Sequence, residues 1–131
     1  VCGGTTPLEF NLSHSGDMML VAVTSDCPVG VDVEFMREDL PFEALAEQYF
    51  PGAEAGQMRV LHGSARKVYF YHTWTRCEAK LKATGAGLRY GIRGVDLSGW
   101  RAMNMKIDIS YAAALAFPEG DRQIACRRWA Q

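Results

Sequence analysis

The stretch Gly30-Val31-Asp32-Val33-Glu34 constrains this chain more than any other. Side chains on a strand alternate between faces, so Val31 and Val33 project to one side and Asp32 and Glu34 to the other. Two carboxylates on neighbouring positions of one face repel each other unless a cation or water intervenes. An isolated Asp-x-Glu is ordinarily a solvated strand face, because acids are seldom buried. The flanks argue otherwise here. Pro28-Val29 leads in and Phe35-Met36 leads out, which predicts an interior strand. A carboxylate pair on such a strand is what a hard cation such as Mg²⁺ requires.

With 131 residues, 48% of them hydrophobic, the chain has the apolar material for one globular domain. No apolar run approaches the roughly 20 residues that cross a bilayer, and Val1-Cys2-Gly3-Gly4 lacks the layout of a signal peptide. A cytoplasmic protein with no membrane partner is therefore expected. The absence of an initiator Met points to a processed or truncated product. Cys2, Cys27, Cys77 and Cys126 are widely spaced with no Cys-x-x-Cys, which favours free thiols over a zinc site. The net charge of −1 hides an asymmetry: residues 1–58 hold ten acids and one base, residues 59–93 eight bases and one acid, Glu78. Such a basic segment suits anionic phosphates, an acidic protein partner, or simply a solvated helix face. Nucleic acid is not an expected partner, since the chain is near neutral and carries no recognised binding motif.

Along the chain, Leu8–Ser13 alternates as a half-buried strand, His14–Asp17 is turn chemistry, and Met18–Val23 completes a hairpin. Asp39 is positioned to cap a short helix over Pro41–Tyr49, which Phe50-Pro51-Gly52 ends. Residues 53–64 read as a short helix and then a loop at Gly63. The clearest helix runs from Ala65 to Thr84 with Gly85 as C-cap. On it Phe70, Trp74, Cys77 and Leu81 form an apolar stripe, bordered by Glu78 and Lys82 at i and i+4. That spacing is also that of an ordinary intrahelical ion pair. Strands are expected at Leu88–Ile92, Arg101–Ile109, Tyr111–Phe117 and Gln123–Trp129, with a hairpin turn at Pro118–Asp121. A faint internal repeat relates Leu8–Ser13 and Leu20–Val23 to Met105–Ser110 and Ala114–Phe117.

Three segments occur in an order and spacing that resemble the 4′-phosphopantetheinyl transferases, specifically the two-copy type. They are Phe10-Asn11-Leu12-Ser13-His14-Ser15, Gly30–Glu34, and Trp74-Thr75-Arg76-Cys77-Glu78-Ala79-Lys80-Leu81-Lys82. The resemblance covers residues 8–90. It implies an α+β fold, an antiparallel sheet packed on one long helix and one or two short ones. Residues 1–27 would then be the end of a first half-repeat, a β-hairpin, and residues 28–131 a second half-repeat with the metal site. The implied activity is Mg²⁺-dependent transfer of the phosphopantetheine arm of coenzyme A to a serine of an acyl or peptidyl carrier protein, releasing 3′,5′-ADP.

By the same resemblance Asp32, Glu34 and Glu78 would hold Mg²⁺ against the diphosphate. Glu78 would take the serine proton, and Lys82 would pair with phosphate oxygens. His14, with Ser13 beside it, would contact the coenzyme A phosphates; by itself a His between two serines reads as a turn residue satisfied locally. Many members carry Lys where this chain has Cys77, which on an apolar stripe is most simply a small buried hydrophobe. A Cys77 nucleophile assisted by His72 is a remote alternative. Two-copy members also have a complete first subdomain with a Gly-Lys-Pro segment, absent here. The resemblance therefore implies either a fragment of a longer enzyme or a chain that completes its site by self-association. The alternative function is a truncated, non-catalytic module that binds coenzyme A or carrier protein.

Overall fold

The computed structural model describes residues 7–86 and 94–129. Its elements run β1 (Glu9–Ser15), β2 (Met18–Thr24), β3 (Gly30–Phe35), α1 (Phe42–Tyr49), α2 (Gly52–Val60), α3 (Gly63–Thr84), β4 (Trp100–Met105) and β5 (Tyr111–Pro118). Two antiparallel sheets result: the hairpin β1-β2, and a three-stranded sheet in the order β3-β5-β4. The fold is thus the expected α+β arrangement, with one long helix and two short ones.

The hairpin turns at Gly16, whose φ of 55° lies where only glycine is unstrained. Ser13 faces Leu20 and Ser15 faces Met18 in its register. Asp32 stands opposite Ala114 and Glu34 opposite Ala112, so β5 offers β3 small side chains at the positions flanking both acids. The face of β3 that carries Gly30, Asp32 and Glu34 lies against α3. A Cβ on Gly30 would fall 1.9 Å from the Ala79 carbonyl oxygen, so glycine is what lets strand and helix approach this closely. Ala79 packs there with Ala114 and Ala116. Asn104 of β4 locks the same helix to the sheet. Its amide donates to the carbonyls of His72 (3.2 Å) and Ala113 (3.0 Å) and to Thr75 Oγ1 (3.2 Å), and it accepts from Arg76.

On its other side α3 packs on the short helices. Phe50 and Phe70, 0% and 2% exposed, meet as tilted rings at 5.2 Å, and Trp74 stacks on Phe70 at 5.8 Å. Each such ring stabilises the fold by about 2–3 kcal/mol through area removed from water. The anticipated apolar stripe is therefore real at Phe70, Trp74 and Leu81. It accounts for only one buried face of the helix, however. Tyr71, Thr75, Glu78 and Ala79 form a second.

Several expectations are corrected. Asp39 does not cap α1; both its carboxylate oxygens are taken by Arg37, at 3.0 and 2.8 Å, and α1 starts from Pro41 without a side-chain cap. Residues 53–64 belong mostly to α2, and α3 begins at Gly63 rather than Ala65. The strand expected over Arg101–Ile109 stops at Met105, because Asp108 folds residues 106–110 into a turn by accepting from the Ser110 and Tyr111 amides. That turn also breaks the internal repeat, whose second copy of the first strand falls in this loop. Gln123–Trp129 is not a strand. Arg122 binds Asp26 at 3.0 Å and draws the chain toward the β2–β3 turn instead of back along β5. The strand expected at Leu88–Ile92 lies outside the described residues. Finally, among the described residues β3 is an edge strand in hydrogen bonding, with β5 as its neighbour in the sheet. Its burial comes from α3, packed on one face, and from β1, whose side chains bond its outer edge.

Candidate active site

The acidic first part of the chain and the basic segment that begins at Arg59 meet in ion pairs. Arg59 binds Glu47, Arg66 binds Glu43, Lys67 binds Glu38, and Lys82 binds Asp32. Four of the six bases of that segment that lie among the described residues are thus engaged with the protein's own acids. The first three pairs are largely exposed and contribute little individually. The fourth is different in kind.

Asp32 is 3% exposed, and its Oδ1 accepts from Lys82 Nζ at 2.8 Å and from Ser13 Oγ at 3.2 Å. Lys82 also donates to the Val31 carbonyl at 3.1 Å. The intrahelical Glu78–Lys82 pair does not form; Lys82 reaches across to β3 instead. The second oxygen of Asp32, Oδ2, is buried with no hydrogen-bond partner. Glu78 is 6% exposed on the neighbouring turn of α3. Asp32, Glu34, Glu78 and Lys82 line one cavity of about 330 Å³, together with Leu12, Ser13, His14 and Trp74. All six residues singled out from the sequence therefore converge. Trp74, part of the apolar stripe and the first residue of the third motif, also walls this cavity. A larger cleft of about 1550 Å³, between β2 and the C-terminal segment, is lined by none of the six.

The electrostatics follow from crowding acids in a poorly hydrated space. Burial raises the Asp32 carboxyl, although Lys82 and Ser13 oppose that shift. Glu34 is pushed up to about 6, by burial first and then by the Asp32 charge. Glu78 rises to about 7 for the same two reasons in the same order. One ammonium thus offsets three carboxylates incompletely, and the cluster favours added positive charge or protons. Among the described residues no group of three His, Cys, Asp or Glu side chains stands in chelating geometry. Mg²⁺, however, typically takes only one or two protein carboxylates and completes its shell with phosphate oxygens and water. The orphaned Asp32 Oδ2 and the two raised glutamates fit such an ion.

Ser13 and His14 differ although adjacent. His14 is exposed at the cavity, while Ser13 is buried and holds protein groups on both sides of its hydroxyl. The Cys77–His72 alternative fails. Neither residue lines the cavity, and burial pushes the Cys77 thiol up to about 11, far from a thiolate at neutral pH. Cys27, Cys77 and Cys126 are free thiols.

Carboxylates withheld from bulk water, with a lysine to offset them and open space beside them, suit phosphate chemistry assisted by a hard cation. The chain belongs to the 4′-phosphopantetheinyl transferase superfamily, whose family model matches residues 28–130. It is 42% identical over 85 residues to the 4′-phosphopantetheinyl transferase psf-1 of Bacillus pumilus, a stretch covering 64% of this chain and 35% of that relative. The 4′-phosphopantetheinyl transferase HetI of Nostoc is 40% identical over 81 residues, 62% of this chain and 34% of its own length. AcpT of Escherichia coli, also named a 4′-phosphopantetheinyl transferase, is 37% identical over 90 residues, 69% of this chain and 46% of its own length. The matched stretch thus spans between a third and a half of these curated relatives. Among the described residues no helix is long and apolar enough to cross a membrane.

Proposed function

We propose that this chain carries the cation and diphosphate centre of a 4′-phosphopantetheinyl transferase. The reaction is transfer of the phosphopantetheine arm of coenzyme A to a serine of an acyl or peptidyl carrier protein in the cytoplasm. The observation that carries this reading is the convergence of Asp32, Glu34, Glu78 and Lys82 on one cavity, with Asp32 Oδ2 buried and unpartnered. Asp32, Glu34 and Glu78 are the residues that would hold Mg²⁺. When bound, the ion neutralises the diphosphate and favours departure of the leaving phosphate.

The chain's own side chains do the rest. His14, exposed at the cavity, receives the coenzyme A phosphates. Glu78, which lines the cavity, takes the proton from the carrier serine as its oxygen attacks the β-phosphorus. The new bond is serine O–P; the bond that breaks is the P–O bond to 3′,5′-ADP, which leaves with the electron pair. Lys82 donates to the phosphate oxygens where that charge accumulates. The hairpin β1-β2 we assign to the end of a first half-repeat and residues 28–131 to a second. Self-association is one route by which the site would be completed.

The test is intact-mass spectrometry of an apo acyl carrier protein incubated with this protein, coenzyme A and Mg²⁺. A gain of one phosphopantetheine arm, abolished by chelation and by Glu78→Gln, is expected. No gain from a folded preparation that still binds coenzyme A would instead indicate a non-catalytic binding module.

A further inference from the structure

The edge of β3 away from β5 presents N–H groups at Val31, Val33 and Phe35, one every second residue. On β1 the side chains of Asn11, Ser13 and Ser15 recur at the same period. Each accepts one of these N–H groups, at 2.9, 3.1 and 2.9 Å respectively. A strand edge that would otherwise be left unpaired is thereby closed by a ladder of side chains. The middle rung makes a second contact, to Asp32, and the Ser15 rung bears likewise on Glu34, whereas the Asn11 rung serves the strand edge. Since the Ser13 oxygen accepts from Val33, its single proton is directed elsewhere, and it goes to Asp32 Oδ1 at 3.2 Å. Lys82 donates to that same oxygen. Two donors on one oxygen oppose rotation of the carboxylate, and Oδ2 is the oxygen left without a partner.

We propose that Ser13 is a positioning residue for Asp32, fixing the carboxylate so that Oδ2 is the oxygen available to the cation, and that it does not contact coenzyme A. This rests on the functional reading above and replaces the coenzyme A contact that the resemblance implied for Ser13. Asn11 supplies the built-in comparison. It closes the same strand edge one rung away without touching Asp32.

The experiment compares Ser13→Ala with Asn11→Ala, using Mn²⁺ as the probe by electron paramagnetic resonance in the presence of coenzyme A, alongside steady-state kinetics. Partners of metal ligands are commonly worth 10- to 100-fold in affinity. On that scale Ser13→Ala is expected to weaken Mn²⁺ binding at least about tenfold and to lower kcat, with the KM for coenzyme A nearly unchanged. Asn11→Ala is expected to leave Mn²⁺ affinity within about twofold of the parent on the same scale. Equal effects of the two substitutions would overturn the proposal, because Ser13 would then be a strand support alone. A raised KM for coenzyme A with intact Mn²⁺ affinity would also overturn it, by showing direct contact. If Ser13→Ala does not fold, Ser13→Cys keeps the volume with a weak donor and is judged by the same criteria. A parent protein that binds neither Mn²⁺ nor coenzyme A would refute the functional reading itself. A parent that binds both, with Ser13→Ala indistinguishable from it, would refute this proposal alone.

Discussion

Replacing Gly30 with Ala tests how closely strand β3 must approach helix α3. The added carbon would fall 1.9 Å from the Ala79 carbonyl oxygen and 2.7 Å from the Ala83 nitrogen. Both obstacles are helix backbone, so no side chain can swing aside. Relief to ordinary contact near 3.5 Å requires strand and helix to separate by roughly 1.5 Å at this point. The Lys82–Asp32 bond, 2.8 Å and two residues further along the strand, would not survive such a separation. Overpacking of this sort costs about 1–3 kcal/mol, and weakening a buried ion pair adds to it. A total near 3 kcal/mol corresponds to a melting temperature lower by roughly 10 °C for a chain of this size. Urea denaturation followed by tryptophan fluorescence would measure it, with carrier-protein modification as the functional readout. Gly56→Ala, in α2 with nothing within 4 Å of its added carbon, is the control and should stabilise by about 0.5–1 kcal/mol. If Gly30→Ala proved as stable and as active as its parent, the close packing of β3 on α3 would be wrong.

Two further outcomes follow from the raised acids and the half-buried Cys77 thiol. Without divalent cations, Glu78 keeps its proton to about pH 7 in the folded chain, against about 4.5 when unfolded. Between those values the folded state binds more protons, so stability falls as pH rises through this window and levels off above it. Relative to Glu78→Gln, the parent should therefore lose about 1–2 kcal/mol between pH 4.5 and 8 in chelator, after allowing for solvent at the cavity mouth. A pH-independent difference in urea midpoints would contradict the raised carboxyl. Iodoacetamide at pH 8 should modify exposed Cys126 well before Cys77, whose labelling should climb with pH toward about 11; peptide mapping that found Cys77 the faster would overturn its assignment as a half-buried, inert thiol.

The elements that position the site were legible because their signals are local. Alternation marked β1, β2 and β3, and the Gly85 C-cap, with φ 75°, marked the end of α3. The convergence of Asp32, Glu34, Glu78 and Lys82 was legible through the three motifs, since no periodicity states which strand a helix packs against. What could not be read is tertiary by nature. The partner chosen by Lys82 depends on Gly30 and Ala79 allowing β3 within reach. The Asn104 network joins residues some thirty positions apart and leaves no local pattern. The motif places Ser13 beside His14 but does not say where its hydroxyl bonds. Its hydroxyl is turned to β3 because neighbouring side chains on a strand face opposite ways. The C-terminal segment misled because a few apolar residues suggested a strand, while Arg122 and Asp26 decide its course.

Calorimetric titration of coenzyme A into the protein, with and without Mg²⁺, and into Asp32→Ala, tests the central claim most directly. Saturable binding that requires Mg²⁺ and disappears in Asp32→Ala is the result predicted by a cation and diphosphate site at this cavity. Binding of equal strength in the variant, or binding indifferent to Mg²⁺, would contradict it.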